Sequence, residues 1–334
     1  MQNQLLQILT REGVLVKVSI RYWRGTKKLK PEDIGLKESQ VSDRLISLGH
    51  KRLLPKEALS ALALVEGRAH AFVESNTFPF LNGLAHFVPN PRLQEVNQKL
   101  KELETEFWQA KKAFLDQYAT LRKNASAEWR TMAKKLVADP DRLVAAIEAS
   151  FPFPNRMDRY YGFDVQLFQI SVPEKLGLDL VTMADQQEVM QARQKAAQEA
   201  SSKIRQGVES FVSGCVSALR EQTAQLCSDM LQSIQSSETG VHQKTLNRLL
   251  RFIEQFKQMN FANARVMEEM LERIRRELLT RTAEEYRDSA KARQVLVNGL
   301  TQLRQQASEL ARQDASELVQ RFGSMGVRKF NLAA

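Results

Sequence analysis

Residues 204–234 read IRQGVESFVSGCVSALREQTAQLCSDMLQSI, and the spacing within this stretch decides the fold. Ile204, Val208, Phe211, Cys215, Leu219, Leu226, Met230 and Ile234 recur at steps of three, four or seven, with Val189 upstream, so their side chains share one face of a helix. Between them lie Gln, Ser, Arg, Glu and Ala, which solvate a helix without filling a core. A stripe this narrow has to be covered by another helix. None of the nine prolines lies beyond Pro173. Residues 174–322 are therefore expected to form a long helical arm, held by a compact head spanning residues 1–173.

A helix of about 50 residues is about 75 Å long. The turn-like cluster Ser236-Ser237-Glu238-Thr239-Gly240 predicts that the arm doubles back antiparallel near residues 236–241. On the return, Leu246, Leu249, Leu250, Ile253 and Phe256 give way to Met267, Met270, Leu271, Ile274 and Leu278. Leu296, Leu300, Leu303, Ala307 and Leu310 then alternate steps of four and three, the spacing of a coiled coil. The next seam position is Asp314. A charge is costly in a dry seam, so the packing is expected to open there or to admit a partner. The tail, residues 323–334, is expected to be loosely held.

In the head, Val14, Val16, Val18 and Ile20 alternate with Leu15, Lys17, Ser19 and Arg21, the pattern of a strand. Tyr22 and Trp23 extend it, Gly25 punctuates it, and residues 27–29 are expected to return as the second strand of a basic hairpin before Pro31. Pro55 predicts a helix start and Pro89 with Pro91 another, the latter carrying Leu93, Val96, Leu100, Leu103, Phe107, Ala110 and Phe114 on one face. Asp139-Pro140 caps a further helix. Short strands over residues 84–88 and 163–170 are expected to join the hairpin in one small sheet. The expected class is mostly α: a small N-terminal α+β head with a short antiparallel sheet, plus a long antiparallel coiled-coil arm.

The net charge of +10 is concentrated in the head, where residues 1–173 hold 26 Lys and Arg against 19 Asp and Glu, compared with 23 against 20 in the remainder. Lys17, Arg21, Arg24, Lys27, Lys28 and Lys30, with Tyr22 and Trp23 among them, suit phosphates, an acidic protein surface, or simply the solvated edge of a hairpin. The two aromatics suit either stacking on exposed bases or covering a small core. Arg156, Arg159, Tyr160 and Tyr161 form a second candidate contact surface, for a protein partner.

Glycine-rich phosphate loops and a Gly-x-Ser-x-Gly elbow are absent from the sequence, and His50, His70, His86 and His242 are scattered without helical i+4 partners. Cys215 and Cys227 lie twelve residues apart on one predicted helix, about 18 Å along its axis, too far to bridge. No catalytic, cofactor or metal site is expected. Without a cysteine framework, a signal-like apolar segment or an apolar run of about 20 residues, the chain is expected to be soluble and cytoplasmic.

Val16 to Trp23, Gly25-Thr26-Lys27-Lys28-Leu29, Glu32-Asp33-Ile34-Gly35-Leu36, Ser47-Leu48-Gly49-His50-Lys51, Phe151-Pro152 and Phe163 to Pro173 together resemble a bacterial family known as domain of unknown function 3150. That resemblance implies occurrence in bacteria, phages and mobile elements, often beside genes for AAA+ ATPases of the MoxR or cobalt-chelatase type, and it brings no functional residues. The function expected is a non-enzymatic helical scaffold or adaptor that assembles with a protein partner, an AAA+ ATPase or a second copy. The alternative is a nucleic-acid-binding protein that uses the basic aromatic hairpin.

Overall fold

The structure, a computed structural model, describes residues 9–36, 48–80, 83–169, 186–236, 240–262 and 264–322. Residues 37–47, part of a stretch up to Leu48 that the sequence suggests is helical, the turn residues 237–239 and the tail 323–334 lie outside the described residues. The protein is mostly α-helical, with a small antiparallel sheet in its N-terminal part and long helices, as its periodicities predict.

Among the described residues the strands are β1 (Gly13–Arg21), β2 (Thr26–Lys28), β3 (His50–Arg52), β4 (Phe78–Phe80), β5 (Ala85–Pro89) and β6 (Gly162–Phe168). Four of them make a sheet in the order β4-β5-β1-β6, in which β5 runs antiparallel to both β4 and β1. Gly13 starts β1 because a Cβ there would collide with the Val88 carbonyl oxygen and the Phe87 ring. Residues 26–28 do not fold back on β1 as the expected hairpin. Instead β2 pairs antiparallel with β3, twenty-odd residues further on, in a separate two-stranded ribbon.

The helices are α1 (Ser60–Asn76), α2 (Asn90–Leu136), α3 (Pro140–Ser150), α4 (Gln186–Ser236), α5 (Gln243–Met259), α6 (Arg265–Leu278), α7 (Ala283–Asp288) and α8 (Ala290–Phe322). The stripe on α4 is buried from Val208 to Ile234. Its main cover is α8, and the runs are antiparallel: Arg220 pairs with Asp314, while Gly240, just past the end of α4, lies against Arg293 near the start of α8. The return is cut into four helices, and capping side chains make the cuts. Asn260 accepts from Ala264 N–H, Thr282 forms a capping box with Glu285, and Ser289 accepts from Ala292 N–H.

Around Asp314 the packing between α4 and α8 loosens as expected, with one open pocket lined by Val216, Asp314 and Leu318 and another by Gly214, Ser217, Ala311 and Ala315. Both carboxylate oxygens of Asp314 accept from Arg220 Nη1, at 2.6 and 2.7 Å, so the charge is answered from the facing helix of the same chain. Burial nevertheless raises the Asp314 pKa, outweighing the pull of Arg220.

The chain forms two compact units, each assembled from separate stretches. One comprises Met1–Lys17, Phe72–Asn97 and Gln166–Ala334; the other comprises Val18–Ala71 and Gln98–Val165. These units do not follow the expected boundary at residue 173. In the first, the sheet residues Leu15, Phe78, Phe80 and Phe87 share a core with the helical arm. Phe211 of α4 is its centre, with ring centroids 4.9 Å from Phe80, 5.6 Å from Phe87 and 6.4 Å from Phe78. In the second unit, Trp23 lies 5.8 to 6.2 Å from Phe114, Tyr118 and Phe151, over Leu53, Leu62, Phe107 and Ile147.

Candidate functional site: a basic ribbon and an aromatic–arginine turn

Both candidate surfaces lie on the unit made of Val18–Ala71 and Gln98–Val165, which carries 23 Lys and Arg against 16 Asp and Glu. The first is the β2–β3 ribbon. Its ladder sets Thr26 opposite Arg52, Lys27 opposite Lys51 and Lys28 opposite His50. Residues directly opposite share a face, so Thr26, Lys28, His50 and Arg52 line one side, and all four are exposed. Lys51 points to the other side and is buried. Its ammonium donates to Asp33 Oδ2 at 2.7 Å, and the same oxygen accepts from the Lys30 backbone N–H at 2.8 Å. With side-chain exposures of 6% and 8%, this pair is a closed internal anchor. Leu53 N–H donates to the Gly25 carbonyl and Leu29 N–H to that of Gly49, while Trp129 Nε1 of α2 donates to the Arg52 carbonyl. Gly25 and Gly49 hold positive φ at two of these closures, where a side chain would strain the backbone.

The sequence-derived residues fall into four groups around this ribbon. Lys27, Lys28 and Lys30 are exposed, and among the described residues no carboxylate pairs with them or with Arg52. Arg24 is exposed but already engaged, with a two-pronged bond to Glu66 at 2.6 and 2.7 Å and its guanidinium 3.9 Å above the Tyr22 ring. Arg21 packs over Gly162, and Lys17 is exposed on β1 within the other unit. Tyr22 and Trp23 are core residues: Trp23 is only 5% exposed, and the Tyr22 hydroxyl donates to Glu66. Their rings are not presented to solvent, so stacking on bases is not available to them.

His50, Lys51 and Arg52 were not singled out as part of the basic cluster. Three polar residues give no strand periodicity, and only Gly49 before them and the apolar Leu53-Leu54 after them mark a segment that could pair.

The second surface follows α3. Phe151 ends that helix, and residues 154–160 make a 3₁₀ turn anchored by buried Met157. Phe153 stands out of it with 65% of its surface exposed. Arg156 lies 6.0 Å from the Phe153 ring, and Arg159 lies 4.9 Å from the Tyr160 ring while donating to the Tyr160 hydroxyl at 2.9 Å. Asp158 of the turn meets Lys111 of α2 at 2.6 Å, and that ammonium also sits 5.1 Å from the Trp108 ring. Arg156, Arg159 and Tyr160 thus lie on this one turn, whereas Tyr161 is buried. Its hydroxyl has no hydrogen-bond partner among the described residues, and burial pushes its pKa up. Phe153 was missed as a contact residue, although its place between two prolines hinted at an exposed position.

Chemically, the ribbon offers fixed positive charge and the turn offers aromatic and guanidinium area. Both are equipment for binding. Among the described residues no group of three His, Cys, Asp or Glu is placed to hold a metal ion, and no helix is long and apolar enough to cross a membrane. No curated protein and no solved structure matches this chain. A family model does match it over residues 10–298, which takes in both surfaces and most of the helical arm, and the chain belongs to that family, described as Protein of unknown function (DUF3150).

Proposed function

We propose that this protein is a non-catalytic helical scaffold, an adaptor whose protein partner docks on the turn of residues 153–160. The observation carrying this reading is the exposed Phe153 ring flanked by Arg156, with the stacked Arg159–Tyr160 pair beside it. Aromatic residues and arginine are the types enriched at protein interfaces and at their energetic centres. A guanidinium already stacked on a ring loses little freedom on binding. The arm's stripe is covered within its own unit, so the docking role falls to this turn rather than to the seam of the arm. The partner implied by the family resemblance is an AAA+ ATPase of the MoxR or cobalt-chelatase type, in a bacterial mobile-element or phage-related system.

Native mass spectrometry of the full chain with such an ATPase from the same gene neighbourhood tests the reading. A complex is expected. Replacing Phe153, Arg156 and Arg159 together by Ala is expected to weaken it at least about tenfold, since truncating a single central residue commonly costs about 2 kcal/mol. No complex with the ATPase, or one of equal affinity in the triple variant, overturns the proposal.

A further inference from the structure

We infer that the β2–β3 ribbon is a binding site for the phosphate backbone of double-stranded nucleic acid, a function separate from partner docking on the turn. Geometry, rather than composition, singles it out. Two short basic segments, residues 27–30 and 50–52, are separated in the chain by residues 31–49 and are brought side by side by this ladder. One face of the ribbon is tied down by the buried Lys51–Asp33 pair, so the Asp33 carboxylate is consumed internally. The other face presents Lys28, His50 and Arg52 to solvent, with Lys27 exposed at the ribbon and Lys30 just beyond it. Three exposed arginines of the same unit are met by carboxylates, Arg24 by Glu66, Arg68 by Glu106 and Arg130 by Glu148. Among the described residues, no carboxylate meets the exposed ribbon cations Lys27, Lys28, Lys30 and Arg52.

Positions two apart along a strand are separated by about 6.8 Å, so Arg52 stands one such step from His50, and Lys28 lies directly across from His50, which sets these side chains in a fixed array. The backbone bonds to Gly25 and Gly49 and the Trp129 bond to Arg52 hold that array to the core. Fixed charge without stacking selects the ligand. Proteins that hold single strands add aromatic platforms for the bases. Of the aromatics next to the ribbon, Tyr22 and Trp23 are buried, and Trp129 is half-buried against the core with its ring nitrogen tied to the Arg52 carbonyl, so no ring is laid open as a platform and the contact is with backbone phosphates, independent of base sequence.

The test is fluorescence anisotropy of the full chain with a labelled duplex DNA, the matching single strand, and polyglutamate as an acidic-protein probe. With Lys27, Lys28, Lys30 and Arg52 each meeting a phosphate, the logarithm of the binding constant is expected to fall with that of salt at a slope of about −3.6, about a hundredfold loss for a fourfold rise in salt. The double reversal Lys28→Glu with Arg52→Glu is expected to weaken duplex binding at least about tenfold and to make the slope shallower by about two. Lys28→Gln with Arg52→Gln carries the same test with less disturbance, and thermal melting by circular dichroism confirms that each variant folds. The Phe153, Arg156 and Arg159 triple Ala variant is expected to bind duplex like the parent, which keeps this site distinct from the docking turn. Unchanged duplex binding in the folded ribbon variants, tighter binding of the single strand, or preference for polyglutamate overturns the assignment.

Discussion

Glu66 shows how a single residue reassigns the charges around it. Its carboxylate accepts from both terminal nitrogens of Arg24 and from the Tyr22 hydroxyl, so an arginine of the basic cluster is spent on holding a strand end to α1. The Arg24 guanidinium holds the Glu66 carboxyl below its ordinary value of 4.5. A depressed folded-state pKa contributes stability that is present above pH 4.5 and lost as pH falls through the folded value. Arg24 is half exposed, and screening limits the pair to about 1 kcal/mol or less. Glu66→Gln is therefore expected to lower stability by that amount at neutral pH and to flatten the loss of stability below pH 4.5; urea unfolding between neutral and acid pH measures both effects. Which cations are paired was not readable from the sequence: Arg24 and Lys28 look alike there, and only the fold brings Glu66, 42 residues on, to one and leaves the other bare. Trp23 makes the same point, because its burial depends on Phe114, Tyr118 and Phe151, about a hundred residues away.

At the scale of elements, the long helices were readable because each repeats one simple rule many times. The α2 helix runs unbroken for 47 residues, and α4 for 51, ending at Ser236 where the turn cluster begins. The division of the return into four helices was overlooked, although Thr282-x-x-Glu285 is a capping box spelled out in the sequence. Thr282→Ala removes the bond to Glu285 N–H and is expected to cost about 1 kcal/mol. Hydrogen exchange should report it as faster exchange confined to residues 282–288, and an effect spread evenly over α8 would contradict a purely local cap. The partner of β2 was not readable. Three-residue strands carry too little pattern to choose a partner, and the nearest strand in the chain was the natural but incorrect choice. The partner of Asp314 was not readable for a related reason: a charge on one helix says nothing of the charge facing it, and Arg220 lies 94 residues away.

At the scale of the whole molecule, the two units carry separate buried clusters with no member in common. Phe211→Ala empties the centre of one and Trp23→Ala the centre of the other, each at an expected cost of about 3 to 5 kcal/mol. Because the residues share no partners, the double variant is expected to lose the sum to within about 0.5 kcal/mol, as measured by denaturant unfolding. A larger shortfall or excess would mean that the clusters are coupled. The sequence by itself determined the helical class, the place of the break after α4, the strand at β1 and the basic character of the N-terminal part, since each is a local regularity of spacing or composition. Only the tertiary structure decided that Phe78, Phe80 and Phe87 belong to the core of the arm, that Lys28 stands beside His50, and that Trp23 is hidden while Phe153 is exposed. These outcomes depend on residues brought together from distant parts of the chain, and a hydrophobic or charged side chain carries no local mark of what it will meet.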